Sequence, residues 1–158
     1  MKTVVVFYSY DGNCKFVSRQ ISGQLRADVV QIEPVNEKKR SKIAMLFRGV
    51  GQVMFNRKPA LKPYVFDPAG YDLIILGTPV WAGSPSPALK SFLSQTKFSG
   101  KKTALFVCHG GGPGKAMDKL KNELKDNTIV SQISLQDPVK DTEKAKELIG
   151  EWVKTLNC

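Results

Sequence analysis

Thr3 to Cys14 reads TVVVFYSYDGNC, and its two halves ask for different backbones. Thr3, Val4, Val5, Val6, Phe7 and Tyr8 are mostly β-branched or aromatic and show no polar alternation, the composition of a strand buried on both faces. Ser9-Tyr10-Asp11-Gly12-Asn13 is a run of turn formers that ends it. Beyond the turn, Phe16, Val17, Ile21 and Leu25 recur at helical spacing with Lys15, Arg19 and Gln20 between them. This predicts a helix from about Asn13 with one face on a sheet. An apolar strand passing through a short loop into an amphipathic helix is the opening unit of a parallel α/β sheet.

The pattern repeats along the chain. Asp28 to Glu33, Asp72 to Gly77 (DLIILG), Lys102 to Cys108 (KTALFVC) and Thr128 to Leu135 are further stretches of strand length. Helices are predicted over Ala88 to Leu93, at Ala116, Leu120 and Leu124, and over Thr142 to Leu156. In the last of these, Ala145, Leu148, Ile149, Trp152, Val153 and Leu156 form the predicted buried stripe. Five strands alternating with helices give a parallel sheet covered on both faces. An insert at about 38–62 separates the second and third strands. Its Ile43, Leu46, Phe47, Val50, Val53 and Met54 fall at helical spacing, with Gly49 and Gly51 predicting a bend and Pro59 and Pro63 ending the helix.

With 158 residues and 42% apolar content, the expectation is one domain spanning 1–158. The apolar run at Val4 to Tyr8 is too short for a signal-peptide core or a membrane span. Cys14, Cys108 and Cys158 lie too far apart for metal-ligand spacing and are read as free thiols of a reducing, cytoplasmic compartment. The net charge is +10, and Lys38 to Lys62 supplies +8 of it through eight basic and no acidic residues. Such a patch favours an anionic partner and is compatible with peripheral membrane contact. Specific nucleic-acid binding is not expected, because no aromatic platform accompanies the charges.

In an open parallel sheet, ligands bind beyond the carboxyl ends of the strands, where strand order reverses. Three strand exits here have suitable composition. Ser9, Tyr10, Asp11, Gly12, Asn13 and Cys14 lead into a helix, so inward-turned N–H groups at its positive end would suit an anion, although an ordinary N-cap reads the same way. Thr78, Pro79, Val80, Trp81, Ala82 and Gly83 begin a proline-stiffened loop in which Trp81 offers a stacking face to a planar ring or packs on its own domain. Cys108, His109, Gly110, Gly111 and Gly112 allow close backbone approach to a ligand or form a merely flexible loop. No cysteine has an evident base partner, so no catalytic residue and no metal ligand are assigned.

Taken in order, the three exits resemble those of the flavodoxin family: Ser9 to Cys14 its phosphate loop, GTPVWAGSPSPALKSFL from Gly77 to Leu93 its middle flavin loop, and Cys108 to Gly114 its third. The likeness runs over essentially the whole chain. It implies a flavodoxin-like three-layer sandwich with a five-stranded parallel sheet of order 2-1-3-4-5. It also implies one FMN held by the seventeen residues of the three exits just named, with the phosphate on Ser9, Asp11, Gly12, Asn13 and Cys14 and the ring between the other two loops. Gly83 would be the place for a peptide to turn over at the ring edge, and His109 would stand nearby. The family's phosphate loop carries Thr-Gly-Asn-Thr where this chain has Asp11-Gly12-Asn13-Cys14. The implied role is electron transfer, with an anionic redox protein such as a ferredoxin as partner. The alternative is an FMN-dependent reductase or oxidase acting on a quinone, NAD(P)H or a porphyrinogen-type substrate.

Overall fold

Apolar runs at Thr3–Phe7 (β1), Leu73–Trp81 (β3) and Lys102–His109 (β5) form the centre of the sheet in the computed structural model, which describes residues 1–37 and 58–157. Asp28–Gln31 (β2) and Thr128–Gln136 (β6) form its edges. The parallel ladder runs β2-β1-β3-β5-β6, and the two-residue strand Ser84–Pro85 (β4) pairs antiparallel with the end of β3. Apart from β4, this is the expected 2-1-3-4-5 order.

The helices are Asn13–Leu25 (α1), Pro87–Gln95 (α2), Ala116–Glu123 (α3) and Thr142–Lys154 (α4). Alternation along the strands assigns each helix to a face. Val5, Phe7, Ile75, Ala104 and Phe106 project to one side and pack with Val17 and Ile21 of α1 and Ile149, Trp152 and Val153 of α4. Val4, Val6, Ile74, Leu76, Leu105 and Val107 project to the other and pack with Leu89 and Phe92 of α2 and Leu120 of α3. Leu148, predicted to lie in the buried stripe of α4, is 45% exposed, because that stripe is narrower than its apolar residues suggest.

Two readings need correction. The loop expected after Gly77 begins later: Thr78, Pro79, Val80 and Trp81 continue β3, and Thr78 and Pro79 pair with Val107 and Cys108 of β5. Pro79 is tolerated because the last β1 partner of β3 is Gly77, so beyond it the strand is an edge on that side. The second correction concerns the start of α1, whose cap position is Gly12 at φ +93°, so that Ser9 and Asp11 reach the first-turn N–H groups of Lys15 and Asn13 from outside the cap position. The basic helix expected in the insert lies outside the described residues, and only positions 58–62 of the insert are described. There Leu61 bridges Pro34, and Lys62 donates its backbone N–H to the Glu33 carbonyl at 2.7 Å.

Gly77 is required where β3 meets β5. It pairs with Phe106, whose ring lies over it so closely that a Cβ at 77 would sit 1.9 Å from the ring. Overfilling a packed core costs about 1–3 kcal/mol. Gly77→Ala should lower the urea unfolding free energy by about that amount, and unchanged stability would show that Phe106 can move aside.

Candidate functional site

Since β1, β3 and β5 are parallel neighbours, their exits emerge at one end of the sheet. The chain leaves β1 toward α1 on one face and β3 toward α2 on the other. The strand order therefore reverses between them and leaves a crevice at the β1/β3 carboxyl ends.

The first exit is organised by its own side chains. The Asp11 carboxylate accepts the Asn13 backbone N–H at 3.1 Å and the Asn13 amide Nδ2 at 2.8 Å. Ser9 Oγ accepts the Lys15 N–H at 3.1 Å. Asn13 Oδ1 accepts the Val139 N–H at 3.1 Å, tying the loop to the segment after β6. A Cβ on Gly12 would meet no atom within 4 Å, so the backbone there faces open space. Cys14 turns the other way. It is buried beside Cys108, and its thiol is held well above its ordinary pKa, first by burial, then by contact with Cys108 and the charge of Asp11. As side chains, these two cysteines belong to the core; only their backbone can serve a ligand.

The second exit is a hairpin. Ala82 and Gly83 join β3 to β4 with φ of +46° and +66°, the positive pair of a type I′ turn. Glycine accepts that conformation freely, whereas Ala82 is strained in it. A hydroxyl knot anchors the hairpin: Thr78 Oγ1 bonds Ser86 Oγ and the Ser86 N–H, each at 2.9 Å, and Ser86 caps α2 through the Leu89 N–H at 3.3 Å. Thr78 and Pro79 are buried in this anchor, Val80 is half-buried, and Ala82 is exposed at the tip. Trp81 lies edge-on between Tyr8 and Tyr10, with ring centroids 5.8 and 5.6 Å away. Tyr8 donates to the Glu37 carboxylate, and burial followed by that contact holds its phenol far above the usual range.

The third exit meets the second at a glycine contact. A Cβ on Gly114 would come within 2.7 Å of the Gly83 Cα, so the two loops approach as bare backbone. Lys119 of α3 donates to Ser84 Oγ beside this contact. The carbonyl of Gly110 accepts Gln136 Nε2 at 2.8 Å, and the His109 carbonyl accepts the Asp137 N–H at 2.9 Å. Cβ atoms on Gly111 or Gly112 would meet open space.

His109 is the only histidine, and its tautomer is set locally. Its Nδ1 accepts the Gly112 N–H at 3.0 Å, which leaves the ring proton on Nε2 as a donor. Burial pushes its pKa below the ordinary 6.5, against a smaller opposite pull from Asp137. The unfolded chain therefore takes up a second ring proton, on Nδ1, more readily than the folded one, so the contribution of His109 to stability is present above pH 6.5 and is lost as pH falls below it. On moving from pH 7 to 5, wild type should lose more stability than His109→Asn in denaturant melts. Equal losses would mean that another group carries the pH dependence.

Of the sequence-derived site residues, Ser9 to Asn13, Trp81 to Gly83 and His109 to Gly112 gather at the carboxyl end of the sheet. The contacts of Tyr8 with Trp81 and Glu37, and the closeness of Gly114 to Gly83, were not foreseen. Only the apolar run that leads into Tyr8 and the glycine count of the third loop hint at them. Among the described residues no group of three or more His, Cys, Asp or Glu side chains could hold a metal ion, and no helix is long and apolar enough to cross a membrane.

A family model described as Flavodoxin matches residues 2–156. A flavoprotein of Lactobacillus acidophilus NCFM, solved in complex with FMN, is 20% identical with a TM-score of 0.71, covering 90% of this chain and 97% of that one. A provisionally assigned flavoprotein from Bacteroides uniformis ATCC 8492 is 21% identical with a TM-score of 0.79 over 97% of each chain. Two-electron reduced Megasphaera elsdenii flavodoxin is 20% identical with a TM-score of 0.61, covering 96% of this chain and 97% of that one. At these identities the likeness to the solved structures is one of fold. No curated protein matches.

Proposed function

This chain belongs to the flavodoxin family, and from that premise we propose that it binds one FMN non-covalently at the carboxyl end of its sheet and carries electrons. The observation that carries the reading is the backbone cradle in which three exits meet. Gly12, Gly111 and Gly112 face open space, and the second and third loops touch through Gly83 and Gly114. A flat ring with a phosphate tail needs such a cradle, because side chains would fill the space its edges occupy.

When bound, the flavin supplies one- and two-electron chemistry, and the protein binds, orients and tunes it. The backbone of Ser9 to Cys14 would hold the phosphate at the positive end of α1. Trp81 would cover a ring face, held in place by Tyr8 and Tyr10. The Ala82–Gly83 turn and the Gly110 to Gly112 backbone would meet the ring edges, and the strain in Ala82 leaves that peptide ready to reorient. The Nε2 proton of His109, fixed by Gly112, would serve as a neutral donor to bound flavin.

The net charge of +10 favours an acidic redox protein, such as a ferredoxin, as the partner. The buried free thiols of Cys14 and Cys108 suit a cytoplasmic, reducing setting. The same charge also supports a second reading, a reductase or oxidase for an anionic substrate. Purified protein titrated with FMN and then assayed aerobically with NAD(P)H and a quinone separates the two. We expect stoichiometric FMN binding, reversible reduction and no sustained turnover. Sustained turnover would make the protein an enzyme, and failure to bind FMN would remove the central claim.

A further inference from the structure

We propose that Asp11 is a specificity-determining residue that sets how strongly this site prefers a phosphorylated flavin over the same flavin without its phosphate; the inference rests on the FMN reading above. The amides at the start of α1 are the donors that an anionic tail needs. One of them is already taken by an anion belonging to the chain itself: Asp11 Oδ1 holds the Asn13 N–H at 3.1 Å while Oδ2 holds the Asn13 side-chain amide at 2.8 Å. Asn13 cannot readily turn away, because its Oδ1 accepts the Val139 N–H at 3.1 Å. The Lys15 N–H is likewise engaged, by Ser9 Oγ.

The carboxylate therefore opposes a phosphate in two ways. It competes for the same N–H, and it sets like charge against like at a few ångströms. Its charge is felt inward as well, where it adds to the upward shift of the Cys14 thiol and the Tyr8 phenol. The neighbouring 137–140 loop offers little relief, since its lysine, Lys140, is paired with Asp137 at 2.7 Å. Position 14 adds no hydroxyl, because Cys14 points into the core. The ring-binding part of the cradle lies in the other two loops and is untouched by these contacts.

The test is a set of equilibrium titrations of FMN and of riboflavin, followed by flavin fluorescence, on the full chain and on Asp11→Thr and Asp11→Asn. Far-ultraviolet circular dichroism melts check that each variant is folded. Both variants should tighten FMN by about 10-fold or more, equivalent to about 1.4 kcal/mol, while riboflavin affinity stays within about 3-fold of wild type. Asp11→Asn isolates the loss of charge, and Asp11→Thr adds a hydroxyl. The proposal is overturned if flavins bind but neither variant raises the preference for FMN, or if riboflavin gains as much as FMN. If no flavin binds to any of the three proteins, the FMN reading itself fails and this inference falls with it.

Discussion

The ladder between β1 and β3, from Thr3 opposite Leu73 to Phe7 opposite Gly77, is the constraint on which the site depends. These strands lie side by side but are separated in sequence by α1, β2 and the insert, so the chain leaves them toward opposite faces of the sheet. Their carboxyl ends cannot be bridged by a connection, and a crevice is the result. The last link across it, from the Tyr8 N–H to the Gly77 carbonyl at 3.2 Å, marks where sheet gives way to site. Everything placed around the crevice is positioned by this pairing: the α1 start on one side, the Trp81 hairpin on the other, and the glycine loop after β5 across from both.

Rigidity and openness are divided among the loops. The hairpin is stiff, held by the Thr78–Ser86 hydroxyl knot and by the ring contacts of Trp81 with Tyr8 and Tyr10. The third loop is pinned only at its ends and through the histidine that accepts from Gly112. The first is self-satisfied, with Asp11 and Ser9 bonded to backbone donors of α1. At the start of α1 the Asn13 N–H is thus already engaged by a carboxylate, whereas Gly111 and Gly112 of the third loop face open space.

Much of this was legible because strands and helices of a parallel sheet write strong patterns. Val4 to Phe7 and Leu73 to Leu76 are apolar without alternation, and α1 and α4 carry their stripes. Other features were hidden for identifiable reasons. Pro79 signalled a loop because proline seldom lies in a central strand, yet β3 becomes an edge once β1 ends. Ser9, Asp11 and Asn13 suggested a side-chain cap; the cap position falls on Gly12, while Ser9 and Asp11 reach the Lys15 and Asn13 N–H groups of the first turn from outside it and Asn13 bonds Val139. The Asn13 link to Val139 spans 126 residues and leaves no local trace, and the inward turn of Cys14 toward Cys108 is equally silent in sequence.

The most direct measurement is a titration of isotope-labelled protein with FMN followed by backbone amide chemical shifts. The account predicts the largest changes at Gly12 to Cys14, Ala82, Gly83 and Gly110 to Gly112. It predicts little change around the cavity of about 330 Å³ near Leu93, Phe98 and Asn127 at the opposite end of the sheet. Changes centred on that far cavity, or no changes at all, would contradict it.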